Sequence, residues 1–99
     1  MNSAEKSSAE TPDWRREGDA IVRDFATTGW PITLMFVNAI GYAAEAANHH
    51  PDLQVSWGKV RVSLSTHSAG GVTDKDFALA QEIDRIAVAS AKKALVRGA

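Results

Sequence analysis

Between residues 60 and 65 apolar and polar side chains alternate without a break, Val60, Val62 and Leu64 against Arg61, Ser63 and Ser65. A period of two is what a strand with one buried and one wetted face requires. Leu53-Gln54-Val55-Ser56-Trp57 carries its apolar residues at odd positions, and Gly58-Lys59 separates the two runs as a turn. Residues 53–57 and 59–66 are therefore expected to form a hairpin. Upstream, residues 20–27 hold Ile21 and Phe25 on one side with Arg23 between them, while Asp24 takes the other side beside Val22. Ile-Val-x-x-Phe suits a half-buried strand. Gly18-Asp19 before it reads as a turn, so residues 14–17 are expected to pair with 20–27 in a first hairpin.

The period then changes. Thr28-Gly29-Trp30-Pro31 punctuates the chain, and Pro31 fits the first turn of a helix, where its missing N–H costs nothing. Ile32, Phe36, Ala39, Ile40, Ala43 and Ala47 recur at helical spacing, while Leu34, Val37 and Tyr42 occupy the reverse face. Only Asn38 and Glu45 are strongly polar there. A helix apolar nearly all round is buried on more than one side. Its run falls short of the ~20 residues of a bilayer span, so a second copy of the chain is the expected cover. Asn48-His49-His50-Pro51-Asp52 ends the helix, and a residue before proline is pushed out of the α region, which makes His50 extended. After a flexible loop at residues 68–71, Thr73 opens a second helix. It has a Thr-x-x-acid spacing to Asp76, with Val72 and Phe77 at the hydrophobic-staple positions. Phe77, Ala80, Ile83, Ala87 and Ala91 form its stripe, with Leu79 and Ile86 beside it. Lys92, Lys93 and Arg97 fall in its last turns, where cations suit the helix dipole. The order β-β-α-β-β-α predicts an α+β fold, a four-stranded antiparallel sheet with two to three helices on one face.

Composition sharpens this picture. The 99 residues suffice for one domain, and 44% are apolar, but 17 of these are alanines. So thin a core stabilises a chain only marginally, which again points to a partner. Residues 1–12 are polar, without the apolar stretch of a secretory signal, and contain acids that a transit peptide avoids. They are expected to be a disordered tail, leaving residues 13–99 as the domain and a cytoplasmic protein. A net charge of −1 lacks the basic excess of a nucleic-acid binder. No apolar run reaches the ~18 residues that mark a membrane span. The absence of cysteine removes disulfides, redox pairs and thiolate metal sites. Neither a GxGxxG nor a P-loop offers a nucleotide cradle.

The candidate chemistry lies in three histidines. His49 and His50 sit at a helix-to-strand junction, and His67 stands where the 60–65 alternation runs out. In the predicted hairpin both junctions lie at the same end, which brings His49, His50 and His67 together, with Asp76 following on the loop from that end. Imidazole can give or take a proton near neutral pH, so acid–base chemistry on a small molecule is the economical reading. Three histidines also match zinc by ligand type, but adjacent side chains of extended chain point opposite ways, and no metal is expected. Each residue has a plainer reading too: a solvated His-His-Pro turn, a strand-end His67, a helix-capping Asp76, a solvated Glu45, a Trp57 covering the sheet.

Glu45-x-x-x-His49-His50-Pro51, followed by Trp57, His67 and Asp76 at their spacing, resembles the signature of the pterin-4a-carbinolamine dehydratase family. Leu64-Ser65-Thr66-His67-Ser68-Ala69-Gly70-Gly71-Val72-Thr73 is similar to that family's LSTH…GG(L/V)T segment. The likeness spans roughly residues 14–90. It departs at the front, where Trp30-Pro31 opens the long helix and the leading helix of many members is hard to find. The resemblance implies a cofactor-free hydro-lyase that removes water from 4a-hydroxytetrahydropterin to give quinonoid dihydropterin. By position, His49 and His67 would be the acid–base pair and His50 would help to hold the pterin. Glu45 and Asp76 would orient or polarise the histidines at the substrate site, and Ser65 and Thr66 would line the pocket. It also implies a homodimer or homotetramer, and an aromatic amino acid hydroxylase as a possible protein partner. The alternative within the same family is a mainly non-catalytic protein-binding member, such as the carboxysome-associated Rubisco assembly factors.

Overall fold

Antiparallel pairing in a fixed register builds the sheet. The computed structural model describes residues 11–91 and 96–97. It contains β1 (Arg15–Glu17), β2 (Ala20–Thr27), α1 (Trp30–Ala47), β3 (Asp52–Ser56), β4 (Lys59–Leu64), a 3-10 turn at His67–Ala69, α2 (Asp74–Ala91) and β5 (Val96–Arg97). The four main strands run in the order β1-β2-β4-β3. Each predicted hairpin forms, and the two join through β2 and β4, which pair Ile21 with Leu64 and Phe25 with Val60. Both helices lie on one face, giving the α+β arrangement that the alternating periods predict. Residues 1–10 of the expected tail lie outside the described residues. Thr11 is buried and accepts a hydrogen bond from the Trp14 N–H at 3.1 Å.

The core is where the two periods meet. Ile21 and Phe25 of β2 and Val60, Val62 and Leu64 of β4 pack beneath Phe36, Ile40 and Ala44 of α1 and Phe77, Ala80, Ile83 and Ala87 of α2. The Phe25 ring meets Phe36 edge-on at 5.0 Å and Trp14 at 6.3 Å. Burying one such ring is worth roughly 1.5–3 kcal/mol. Arg23 shares the core-facing side of β2 and is buried. An unpaired charge there would be strongly destabilising. Its guanidinium donates to Asp84 Oδ1 at 2.8 Å and lies 4.5 Å from the centre of the Phe25 ring. The Trp14 indole N–H donates to the same carboxylate oxygen at 2.8 Å.

The opposite face of the sheet carries charge instead of a second layer. Asp24 accepts two hydrogen bonds from Arg61 and one from Arg15. The Arg61 hydrogen bonds hold its carboxyl below the ordinary value of 3.8, against a smaller opposing effect of desolvation.

Two expectations need correction. The second helix does not continue to residue 97, because Arg97 belongs to β5, which pairs with Ala26 and Thr27. β1 covers only the first residues of that edge, and β5 pairs with the stretch that β1 leaves open. Lys92 and Lys93 lie outside the described residues. The 68–71 segment is a closed turn. Thr66 and Gly71 exchange backbone hydrogen bonds, and Gly70 is left-handed at φ 69° with its N–H donating to His67 O. On the outer side of α1, Trp30, Leu34, Met35 and Tyr42 are exposed within one chain, the face for which a second copy is the expected cover.

Candidate active site

The site begins where α1 stops. Asn48 adopts the left-handed conformation at φ 52° and ψ 42°, its N–H donating to Ala44 and Glu45 carbonyls. Asn tolerates that region better than most residues. The His49 N–H also donates back to Ala44 O, at 3.0 Å. Pro51 then prevents any return to helix, and β3 starts at Asp52, opposite Ser63. Extending that register back along the hairpin faces His50 with Ser65 and His49 with Thr66. The result is a cleft of about 300 Å³ at this end of the sheet, with His49, His50, Ser65, Thr66, His67 and Lys75 among its walls.

One member of the wall is tied to the interior. His49, with its side chain 12% exposed, has its Nε2 2.5 Å from Oδ1 of Asp76, which is wholly buried. The other Asp76 oxygen accepts from the Thr66 hydroxyl at 2.7 Å and from the Thr73 N–H at 2.8 Å. This is half of the capping box expected at Thr73. The Thr73 hydroxyl goes elsewhere, to Thr66 Oγ1 at 2.7 Å. The directions can be assigned by counting protons. Thr66 has one hydroxyl proton and gives it to Asp76, so Thr73 donates to Thr66. A carboxylate only accepts, so His49 Nε2 carries the proton and donates. That leaves Nδ1 as the proton-accepting nitrogen of the neutral ring.

The remaining residues are more open. His67, on the 3-10 turn, is exposed. The His50 Nε2 lies 2.8 Å from Oε2 of Glu45, and both side chains are exposed. Glu45 thus meets the cleft only through His50, and it borders a separate surface groove with Asn38, Gly41 and Tyr42. Asp76 does not line the cleft and meets it through His49 and Thr66. On its other side His49 borders a groove of about 430 Å³ between α1 and α2, floored by Ala43, Ala47 and Ala78. Sequence reasoning did not mark Thr73, Lys75 or Asn48 as parts of the site. Thr73 was visible through its Thr-x-x-Asp spacing, whereas Lys75 carried no distinguishing signal. Among the described residues, no group of three or more His, Cys, Asp or Glu side chains is arranged to hold a metal ion, and no helix is long and apolar enough to cross a membrane.

A family model described as Pterin 4 alpha carbinolamine dehydratase matches residues 2–86. The chain belongs to the pterin-4a-carbinolamine dehydratase family. Among its dehydratase relatives is a protein of Chloroflexus aurantiacus named "Putative pterin-4-alpha-carbinolamine dehydratase". It is 49% identical over 78 residues, which cover 79% of this chain and 84% of that one. A protein of the same name from Aquifex aeolicus is 49% identical over 73 residues, 74% of each chain. A crystal structure titled transcriptional coactivator/pterin dehydratase, from Brucella melitensis, superposes with a TM-score of 0.79. It is 27% identical and covers 87% of this chain and 95% of that one. A pterin dehydratase-like protein described as a RuBisCO assembly factor in the alpha-carboxysome shares the dehydratase fold at a TM-score of 0.61. It is 18% identical over 74% of this chain and 84% of that one.

Proposed function

We propose that this chain dehydrates a 4a-hydroxytetrahydropterin to the quinonoid dihydropterin. The observation that carries the reading is the buried carboxylate behind His49, a ring that keeps one nitrogen free and stands in the wall of a cleft shared with His67. In the reaction the C4a–O bond breaks, the adjacent ring nitrogen loses its proton, a C=N bond forms and water leaves. Hydroxide is a poor leaving group, so a proton delivered as the bond stretches lowers the barrier. His67 is the group we assign to that delivery, since its exposed ring exchanges protons with solvent. His49 takes the nitrogen proton at Nδ1, and Asp76 stabilises the imidazolium that results. His50 and the backbone of Ser65 and Thr66 bind the pterin. Glu45 orients His50.

Family membership and the named relatives support the substrate class. The histidine set supports chemistry over a purely protein-binding role, because an assembly surface makes no use of an imidazole backed by a buried carboxylate. The test is turnover of a chemically generated 4a-hydroxytetrahydropterin, with the spontaneous rate subtracted. The wild-type chain accelerates it, and His49→Ala and His67→Ala each lose on the order of 10²–10⁴ in kcat, the usual worth of one acid or base. A wild-type protein that adds nothing to the spontaneous rate overturns the proposal.

A further inference from the structure

The hydroxyl of Thr66 does not face the reaction. It is nearly buried and spends its proton on Asp76 Oδ2, while its oxygen receives the proton of Thr73. The Thr73 backbone N–H binds the same carboxylate oxygen. Oδ2 is therefore occupied by two donors that come from different elements, the end of the β4 segment and the start of α2. Oδ1 is left to His49 alone. A carboxylate held at one oxygen cannot rotate to offer both oxygens to the ring, and it cannot pass its hydrogen bond to water, because it is wholly buried.

From this arrangement we infer that Thr66, oriented by Thr73, is a positioning residue that keeps Oδ1 of Asp76 in line with the His49 Nε2–H. The inference deepens the proposed function and rests on it for its kinetic consequence. Its structural consequence stands independently, since the alignment of the His49–Asp76 hydrogen bond belongs to the free protein.

Removing the Thr66 donor leaves Asp76 Oδ2 held by the Thr73 N–H alone, so the carboxylate can turn and its hydrogen bond to His49 loses alignment. Other charged or titratable groups around His49 are His50 and His67 across the cleft, Lys75 in its wall, and Glu82 and Arg85 along the inter-helix groove. Thr66→Val leaves all of them in place.

The experiment compares wild type, Thr66→Val, Thr66→Ser and Thr73→Val. Ring ¹⁵N shifts of His49 are read in the free protein, and kcat and KM are read across pH with 4a-hydroxytetrahydropterin. Wild type shows Nε2 protonated and Nδ1 bare. Thr66→Val keeps the proton on Nε2 but displaces the Nε2 ¹⁵N shift as the hydrogen bond to Asp76 loses alignment, and it shows about a tenfold fall in kcat, on the scale of one charge-assisted hydrogen bond, with an unchanged KM. Thr66→Ser restores both, and Thr73→Val gives a smaller change in the same direction. A wild-type His49 protonated on Nδ1 overturns the inference. So does a Thr66→Val protein with wild-type ¹⁵N shifts, or a loss that Thr66→Ser shares. If wild type has no dehydratase activity, the proposed function fails, and the ¹⁵N shifts alone still decide the role of Thr66.

Discussion

Asp76→Asn asks the most of this site, because it changes charge and proton direction without changing volume. The carboxylate accepts three hydrogen bonds, from His49 Nε2, the Thr66 hydroxyl and the Thr73 N–H. An amide has one acceptor oxygen and one NH₂ group. Two donors already converge on Oδ2, so the amide oxygen takes that place and the NH₂ turns to His49. Nε2 must then accept, the proton moves to Nδ1, and the ring has no base left to offer. A positioned base is worth about 10²–10⁴ in rate, and the wrong tautomer beside a serine protease aspartate costs ~10⁴. The expected result is a kcat lowered by about 10²–10⁴ with KM nearly unchanged.

The fold should survive this change. Each hydrogen bond persists but loses its charge assistance, about 1 kcal/mol apiece. Removing a buried charge returns a desolvation cost of the same order. A net change near 1 kcal/mol corresponds to a melting shift of about 4–8 °C in a domain of this size. The assay is stopped-flow absorbance of quinonoid product, with thermal unfolding of the same preparations. An Asp76→Asn protein that is folded and turns over like wild type would refute the assignment of the His49 tautomer and the role built on it.

Three further outcomes follow from the same coordinates. Ile83 is fully buried between α2 and the sheet, so Ile83→Ala costs about 2–5 kcal/mol, a large share of a total near 5–15 kcal/mol. The urea midpoint falls, while activity per folded molecule is retained. His50→Ala raises KM more than it lowers kcat, because that exposed ring binds and does not carry the transferred proton; steady-state kinetics separate the two. Asp24 has its folded-state pKa lowered, chiefly by hydrogen bonds from Arg61. Its stabilising effect is present above the ordinary carboxylate value and is lost as pH falls through the folded-state value. Urea midpoints of wild type and Asp24→Asn therefore differ at neutral pH and converge in acid, and added salt narrows the gap because the network is solvent-exposed.

Much of this protein could be read from local pattern. Alternation at Val60, Val62 and Leu64 makes β4, and the spacing of Phe36, Ile40 and Ala44 makes the inner face of α1, because side-chain period follows directly from backbone geometry. Turn residues locate the hairpins for the same local reason. The meeting of His49, His50 and His67 was legible too, since a hairpin fixes which chain ends lie together.

Contacts between residues distant in the chain were not legible in this way. Nothing local says that Asp84 will neutralise Arg23 from 61 positions away. Nothing local says that Val96–Arg97 will leave the helical pattern for the free edge of β2. Glu45 looks equally able to serve either neighbouring histidine, and only the turn at Asn48 sends it to His50. The partner of His49 is Asp76, 27 positions away, and Asp76 is held in turn by Thr66, which lies beyond the end of β4. A hydrogen bond depends on distance and direction within a few tenths of an ångström. Residue type can nominate the groups that take part, but their alignment exists only once the helices are packed against the sheet.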